Sequence, residues 1–360
     1  MELAVIWFIA IAVLWTGYFV LEGFDFGVGM LMPFVGRRDS VDRRVAINAI
    51  GPVWDANEVW LITALGATFA AFPAWYASLL SGFYAPMFLI LVALILRGVA
   101  FEYRGKRDDS GWRLWWDRAI FAGSALPAFL WGLVFANVLR GVAMDADHVV
   151  TASLADLFNP YALLGGLTTL SLFTLHGAIF LTLKTDGPVR VRARRAALWA
   201  ACAAVPSAAL FLVWTQYAHG GGTRTLPLFA LAAAALAGGV AAAWKRREGW
   251  SFAGTAATVL LLFAALFAAL FPNVLPSTTD PAFGLTVANA SSADYTLTLM
   301  TWVAVVFLPL ILLYQGWSYW VFRRRVTGQT VTGETVTGQT VTGQTLTRED
   351  DGGRRPEPAA

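Results

Sequence analysis

Two pairs of carboxylic acids stand within otherwise apolar sequence: Glu22 with Asp25, and Asp55 with Glu58. Each pair is spaced i, i+3, which on an α-helix puts both side chains on one face. A charged side chain near the middle of a bilayer costs about 3 kcal/mol or more, so each of these is a functional candidate by default. Both pairs fall at the helix ends that the basic loop from Arg37 to Arg44 joins, so four carboxyls are expected to meet near one mouth. Carboxyls facing a dry interior can hold and pass protons, and a file of them leading inward would serve proton uptake. They could equally cap helix ends, pair with Arg37, Arg38, Arg43 and Arg44 in the adjoining loop, or reach the interface. Spacing alone leaves these readings open.

The surroundings of the pairs add detail. Gly23, Gly27 and Gly29 beside the first pair would let a neighbouring backbone come close. Asn57, Trp54 and Trp60 accompany the second. Farther on, Arg97, Glu102 and Arg104 are candidates for structural ion pairs, either within their own segment, with the four carboxyls, or at the interface. Histidine is scarce. His148 and His219 fall in loops and only His176 lies in an apolar run, too few for a multi-haem or metal centre in this chain. His176 is expected to be a buried, hydrogen-bonded histidine rather than a haem ligand. Cys202 is the single cysteine, which excludes a disulfide framework and a thiolate cluster. No phosphate-binding loop, dinucleotide fingerprint or nucleophile elbow occurs in a suitable context. No catalytic side chain and no metal ligand is therefore assigned to this chain.

The elements that must position these residues follow from composition. With 58% hydrophobic and 14% charged residues, 360 residues carry too little polar surface for a water-soluble globule. Nine apolar runs are long enough to cross a hydrocarbon layer, which takes about 20 helical residues. They cover residues 4–32, 52–72, 77–99, 119–139, 160–183, 196–217, 226–243, 250–271 and 297–322. None alternates with period two, so the expectation is an all-α bundle of nine transmembrane helices rather than a barrel. The first run begins Met1-Glu2 without a basic residue and exceeds the length of a signal-peptide core, so a retained helix is expected.

Lys and Arg alternate between loops: 24 of the 26 fall on one side of such a bundle, leaving only Arg140 and Arg224 for the other. Because basic residues are held on the cytoplasmic side, the N-terminus is expected outside and the C-terminus in the cytoplasm. The net charge of +3 then reflects membrane orientation and gives no reason to invoke nucleic acid. The stretch from Trp112 to Arg118 mixes indoles with charges and suits a headgroup region. After Arg323-Arg324-Arg325 come four pentapeptides from Val326 to Thr345 and a charged, Pro-containing end, too poor in apolar side chains to fold. The expected organisation is a transmembrane bundle over 1–325 and a disordered cytoplasmic tail over 326–360.

Several motifs resemble those of subunit II of the bacterial cytochrome bd-type quinol oxidases. They are Glu22-Gly23-Phe24-Asp25-Phe26-Gly27-Val28-Gly29, the segment from Asn48 to Trp60, Ser81-Gly82-Phe83-Tyr84, the Arg97 to Arg104 segment, Leu275-Pro276-Ser277-Thr278, and Met300 to Pro309. The resemblance spans residues 1 to about 325 and leaves only the repeat tail unmatched. It implies a multi-pass protein of the bacterial cytoplasmic (inner) membrane. Its complex would oxidise quinol, reduce O2 to water and draw protons from the cytoplasm in aerobic respiration. By the same resemblance, two b-type haems and one d-type haem belong to a partner, subunit I, and this chain binds none. A small single-helix accessory subunit, membrane lipid and, in some members, a structural quinone accompany the family; no motif here decides the quinone.

Carried over by position, Asp25 and Asp55 resemble carboxylates proposed to line a proton route. Trp60 resembles an aromatic residue near a proposed O2 route, and Glu22 stands where another acid is common. Ala56 replaces a usual glycine and Val53 stands where some members have histidine. Two other classes remain open from the residues themselves. A proton-coupled transporter would use intramembrane carboxyls, although no inverted repeat or paired broken helices are evident. A pure scaffold subunit would use them only for packing.

Overall fold

The computed structural model describes residues 2–36, 41–220 and 222–328. The tail over 329–360, with most of the pentapeptide repeats, and Arg37 and Arg38 lie outside the described residues.

The chain is a helical bundle. Its elements are α1 (Glu2–Val35), α2 (Val41–Ile50), α3 (Trp54–Ala71), α4 (Pro73–Gly82), α5 (Tyr84–Tyr103), α6 (Ser110–Arg140) and α7 (Leu154–Leu157). They continue with α8 (Pro160–Lys184), α9 (Gly187–Ala218), α10 (Leu226–Trp244), α11 (Glu248–Leu270), α12 (Val287–Ala290) and α13 (Asp294–Val321). A two-stranded antiparallel hairpin, β1 (Asn273–Leu275) and β2 (Leu285–Thr286), pairs Asn273 with Thr286 and Leu275 with Leu285.

Eight helices among the described residues are long and apolar enough to cross a membrane: α1, α5, α6, α8, α9, α10, α11 and α13. The second apolar run forms α3, an 18-residue helix that is not among the eight because Asp55, Asn57 and Glu58 crowd its first two turns. The third run is broken where a single helix was expected: α4 stops at Gly82 and α5 begins at Tyr84. Another break precedes α4 at Phe72 (φ −137°, ψ 69°). The following Pro73 excludes the helical region for the residue before it, which ends α3 there.

The core is aromatic. Trp15, Tyr18 and Phe19 of α1 meet Trp131 and Phe135 of α6, while Phe19 stacks on Phe263 of α11 at a centroid distance of 3.9 Å. In α8, 72% of the most apolar stretch is buried, against 6% in α13. Thus α8 is an interior helix and α13 a peripheral one. Of the three expected close approaches, one brings backbone to backbone. A Cβ at Gly27 would lie 2.0 Å from Phe173 O of α8, and one at Gly177 would lie 2.4 Å from the Gly27 backbone. Gly23 and Gly29 instead receive side chains, Phe173 and Ser124.

The two ends of the bundle differ. At one, ion pairs knit the basic segments together: Arg192 donates to Val35 O and Asp42, and Glu248 accepts from Arg190, Arg194 and Arg325. At the other lie the hairpin, α7 and α12, both with capping boxes, and His148, whose Nδ1 donates to Phe283 O at 2.7 Å.

Candidate functional site

The side chains that could handle protons are gathered by three helices. Glu22 and Asp25 stand 13 and 10 residues before the end of α1 at Val35, both with no exposed surface. At about 1.5 Å per residue they lie roughly 15–20 Å inside the helix end. The expectation that both pairs sit at a helix end is therefore corrected for the first: it is deep in the bundle. Arg97 of α5, also fully buried, donates through Nη2 to Glu22 of α1 and to Glu58 of α3. Its guanidinium lies 4.7 Å from the ring centre of Phe26, which adds a cation–π contact.

Asp25 is held from α3 by Asn57, whose Nδ2 donates to Asp25 Oδ2 at 2.6 Å. Asn57 Oδ1 in turn accepts from the Tyr319 hydroxyl of α13 at 2.7 Å. Tyr319 lines a cavity of about 970 Å³ at the basic end of the bundle, together with Asn48, Lys184 and Arg323. A hydrogen-bonded file therefore runs from that cavity to a buried carboxyl. The cluster also has polar capacity to spare: Glu22 Oε2, Asp25 Oδ1 and Arg97 Nε and Nη1 are buried without a hydrogen-bond partner among the described residues. One guanidinium faces three carboxyls, and only the carboxyls can release and rebind protons, since arginine stays charged.

Asp55 does not join this group; it is exposed. Asn57, two residues on, is fully buried, and two residues on a helix turn the side chain by about 200°. When Asn57 points inward, Asp55 must point outward. The expected meeting of four carboxyls is thus a meeting of three. Glu102 is likewise exposed and makes no ion pair with a described residue, whereas Arg97 and Arg104 find partners on other helices. Trp60 Nε1 donates to Gln315 Oε1 of α13 at 2.7 Å, and its ring occupies the notch left by Gly17, where a Cβ would lie 2.2 Å away. It edges an apolar groove of about 770 Å³ between α1 and α11.

A second cluster was not foreseen from the sequence. Asp117, at the start of α6 and 2% exposed, accepts from Arg43 of α2 on one oxygen and from Arg104 on the other at 2.5 Å. Both arginines are themselves buried, and Arg43 Nε also reaches Gly36 O at 3.3 Å. The only local signal was a lone carboxyl among the tryptophans of the Trp112 to Arg118 stretch, which reads as interfacial. Tyr319 and Glu248 were missed for the same reason: each acquires its role from a segment distant in sequence.

The one histidine inside an apolar run, His176, is not free to ligate a haem. Nε2 of His176 donates to Val20 O at 3.2 Å and Nδ1 bonds Thr255 Oγ1 at 2.8 Å, so both nitrogens are engaged. His148 is held by Phe283 O, and the ring of His219 packs on Tyr161 at 4.6 Å. Among the described residues no group of three or more His, Cys, Asp or Glu could hold a metal ion.

Fold and site together define a polytopic helical membrane protein with a carboxyl–guanidinium cluster at the meeting of three helices. Residues 3–322 match the family described as cytochrome bd terminal oxidase subunit II, and the chain belongs to that family. It is 45% identical to cytochrome bd ubiquinol oxidase subunit 2 of Bacillus subtilis (strain 168), over 89% of this chain and 96% of the relative. It is 36% identical to cytochrome bd-I ubiquinol oxidase subunit 2 of Escherichia coli (strain K12), over 89% and 94%. A chain of the bd oxidase structure from Geobacillus thermodenitrificans shares the fold, with a TM-score of 0.72 and 18% identity over 89% of this chain and 99% of that one.

Proposed function

We propose that this chain is the haem-free subunit of a quinol-oxidising, O2-reducing complex, and that it carries protons inward from the cytoplasm. On this reading α3 crosses the bilayer with the eight longer helices, giving nine crossings in a bacterial inner membrane. The basic end is cytoplasmic, because nearly all Lys and Arg belong to it. The partner is the haem-bearing subunit I, where the haem chemistry takes place.

One observation carries the proton reading: the Tyr319–Asn57–Asp25 file joins a wide cavity at the basic end to the carboxyl cluster. A proton taken up at the cavity can pass over water beside this file to the free oxygen of Asp25, since the Asn57 amide does not itself hand a proton on. Asn57 orients the Asp25 carboxyl, while Arg97 holds Glu22 and Glu58 in place and neutralises one negative charge. Asp55 faces away and would join a route only at a surface shared with the partner. Trp60 and the groove beside it are the candidate for O2 passage, since an apolar channel favours an apolar gas.

Replacing Asp25 by Asn in the assembled complex tests this. Quinol-driven O2 uptake is expected to fall about tenfold, within the range for losing a positioned proton-transfer group, with the haem spectrum unchanged. Turnover equal to wild type would remove the proton role and favour a scaffold. Activity of the chain alone in proton-coupled solute uptake would instead support a transporter.

A further inference from the structure

A separate cavity of about 530 Å³ opens at the basic end between α8, α9, α10 and α11. Buried Ile179 and the exposed Val191 and Leu198 give it an apolar side, while Arg194, Arg195 and Arg246 stand on its lining. The one carboxylate there, Glu248, is already saturated by Arg190, Arg194 and Arg325. Arg195 and Arg246 are exposed and form no ion pair with a described residue, and Arg194 Nε is buried without a partner among the described residues. Arg246 also holds a left-handed backbone (φ 59°) in the turn between α10 and α11, a conformation that non-glycine residues seldom adopt. Three tryptophans with most of their surface exposed, Trp199, Trp244 and Trp250, stand on three of the same helices, α9, α10 and α11. Indoles collect at the boundary between headgroups and hydrocarbon.

We propose that this cavity is a binding site for one anionic phospholipid. Charge selects the headgroup: two uncommitted guanidiniums and a third with a free N–H suit a phosphate, which arginine can engage with paired donors. The apolar wall selects the rest of the molecule, because acyl chains can leave the cavity along the outward faces of α9 and α10, where Leu198, Leu210 and Leu231 are exposed. A free phosphate would use the arginines and leave the apolar wall wet. A lipid uses both, and basic recesses between membrane helices are where anionic headgroups settle. Bound there, the lipid would tie α9 to the α10–α11 turn.

The test uses the whole purified complex in neutral detergent, titrated with dioleoyl phosphatidylglycerol and read by native mass spectrometry as lipids retained per complex. The Arg195→Gln/Arg246→Gln variant is expected to bind the first lipid about thirtyfold more weakly, and each single variant about fivefold, by the usual contribution of an arginine near an anionic surface. Arg195→Lys/Arg246→Lys should stay within about threefold of wild type, because charge is kept. Removing two charges elsewhere at the same end, Lys106→Gln/Arg107→Gln, should change nothing. Equal loss in this control would show general surface attraction and overturn the site. Affinity unchanged in both single variants would overturn it as well. Displacement of the lipid by equimolar glycerol phosphate would replace the proposal with a simple anion site.

Discussion

The bundle contains two buried ion clusters built in opposite proportions. Around Arg97 one guanidinium bonds two carboxyls from two other helices, a third, Asp25, is held beside them by Asn57, and several polar atoms are left without partners among the described residues. Around Asp117 one carboxylate meets two guanidiniums, and both of its oxygens are taken. Burial is nearly the same; saturation is not. A saturated cluster fixes geometry, since moving any member strands a charge in low dielectric. An unsaturated one keeps sites for water and protons. The Asp117 cluster binds α2 to the α5–α6 turn, and the Arg97 cluster binds α1, α3 and α5 while leaving Asp25 linked to a cavity.

The largest blow to this contrast would come from Arg97→Met, which leaves Glu22 and Glu58 without their cation. Breaking a buried pair from one side costs about 3–5 kcal/mol, so the subunit should fail to accumulate in the assembled complex, as read by haem recovered per milligram of membrane. Asp117→Asn should cost about 3 kcal/mol or somewhat less, because the amide still accepts one hydrogen bond. It should show as a lower melting temperature in detergent, with turnover per haem unchanged. Equal loss of turnover per haem in Asp117→Asn and Asp25→Asn would erase the distinction between the clusters.

Finer changes sharpen it. Tyr319→Phe removes the hydroxyl that reaches Asn57, and O2 uptake should fall about two- to threefold with a loss of about 1 kcal/mol in stability. A normal rate would place the entrance elsewhere. The smallest effect belongs to the opposite end of the bundle. There the Ser153 side chain and backbone hold the Asp156 carboxyl below its ordinary value. A depressed folded-state value means that its contribution is complete above about pH 4 and fades as pH falls through that value. Asp156→Asn should therefore lower the plateau above about pH 4 slightly and flatten the acid limb of the stability profile, with O2 uptake untouched.

Much of this was legible in the residue order. Apolar run lengths gave the helices, and the alternation of Lys and Arg separated the end that ion pairs knit together from the opposite one. The spacing of Glu22 and Asp25 put both on one face, and both are buried. The same rule failed for Asp55 and Glu58. Being i, i+3 leaves them about 60° apart, and the boundary between inside and outside passes between them. Where that boundary lies depends on how α3 is rotated against α1, a matter of packing around Gly17, Trp60 and Asn57.

The sequence by itself determined the solvent, the helices, their alternating charge and the shortage of haem ligands, because these follow from local composition and from counting. Only the tertiary structure decided which carboxyls share an arginine, that Asp117 has two, and that Tyr319 stands between a cavity and Asn57. Each of those contacts joins residues from 13 to 262 positions apart. At that separation helical periodicity fixes only a face, and close packing against neighbouring helices chooses the partner.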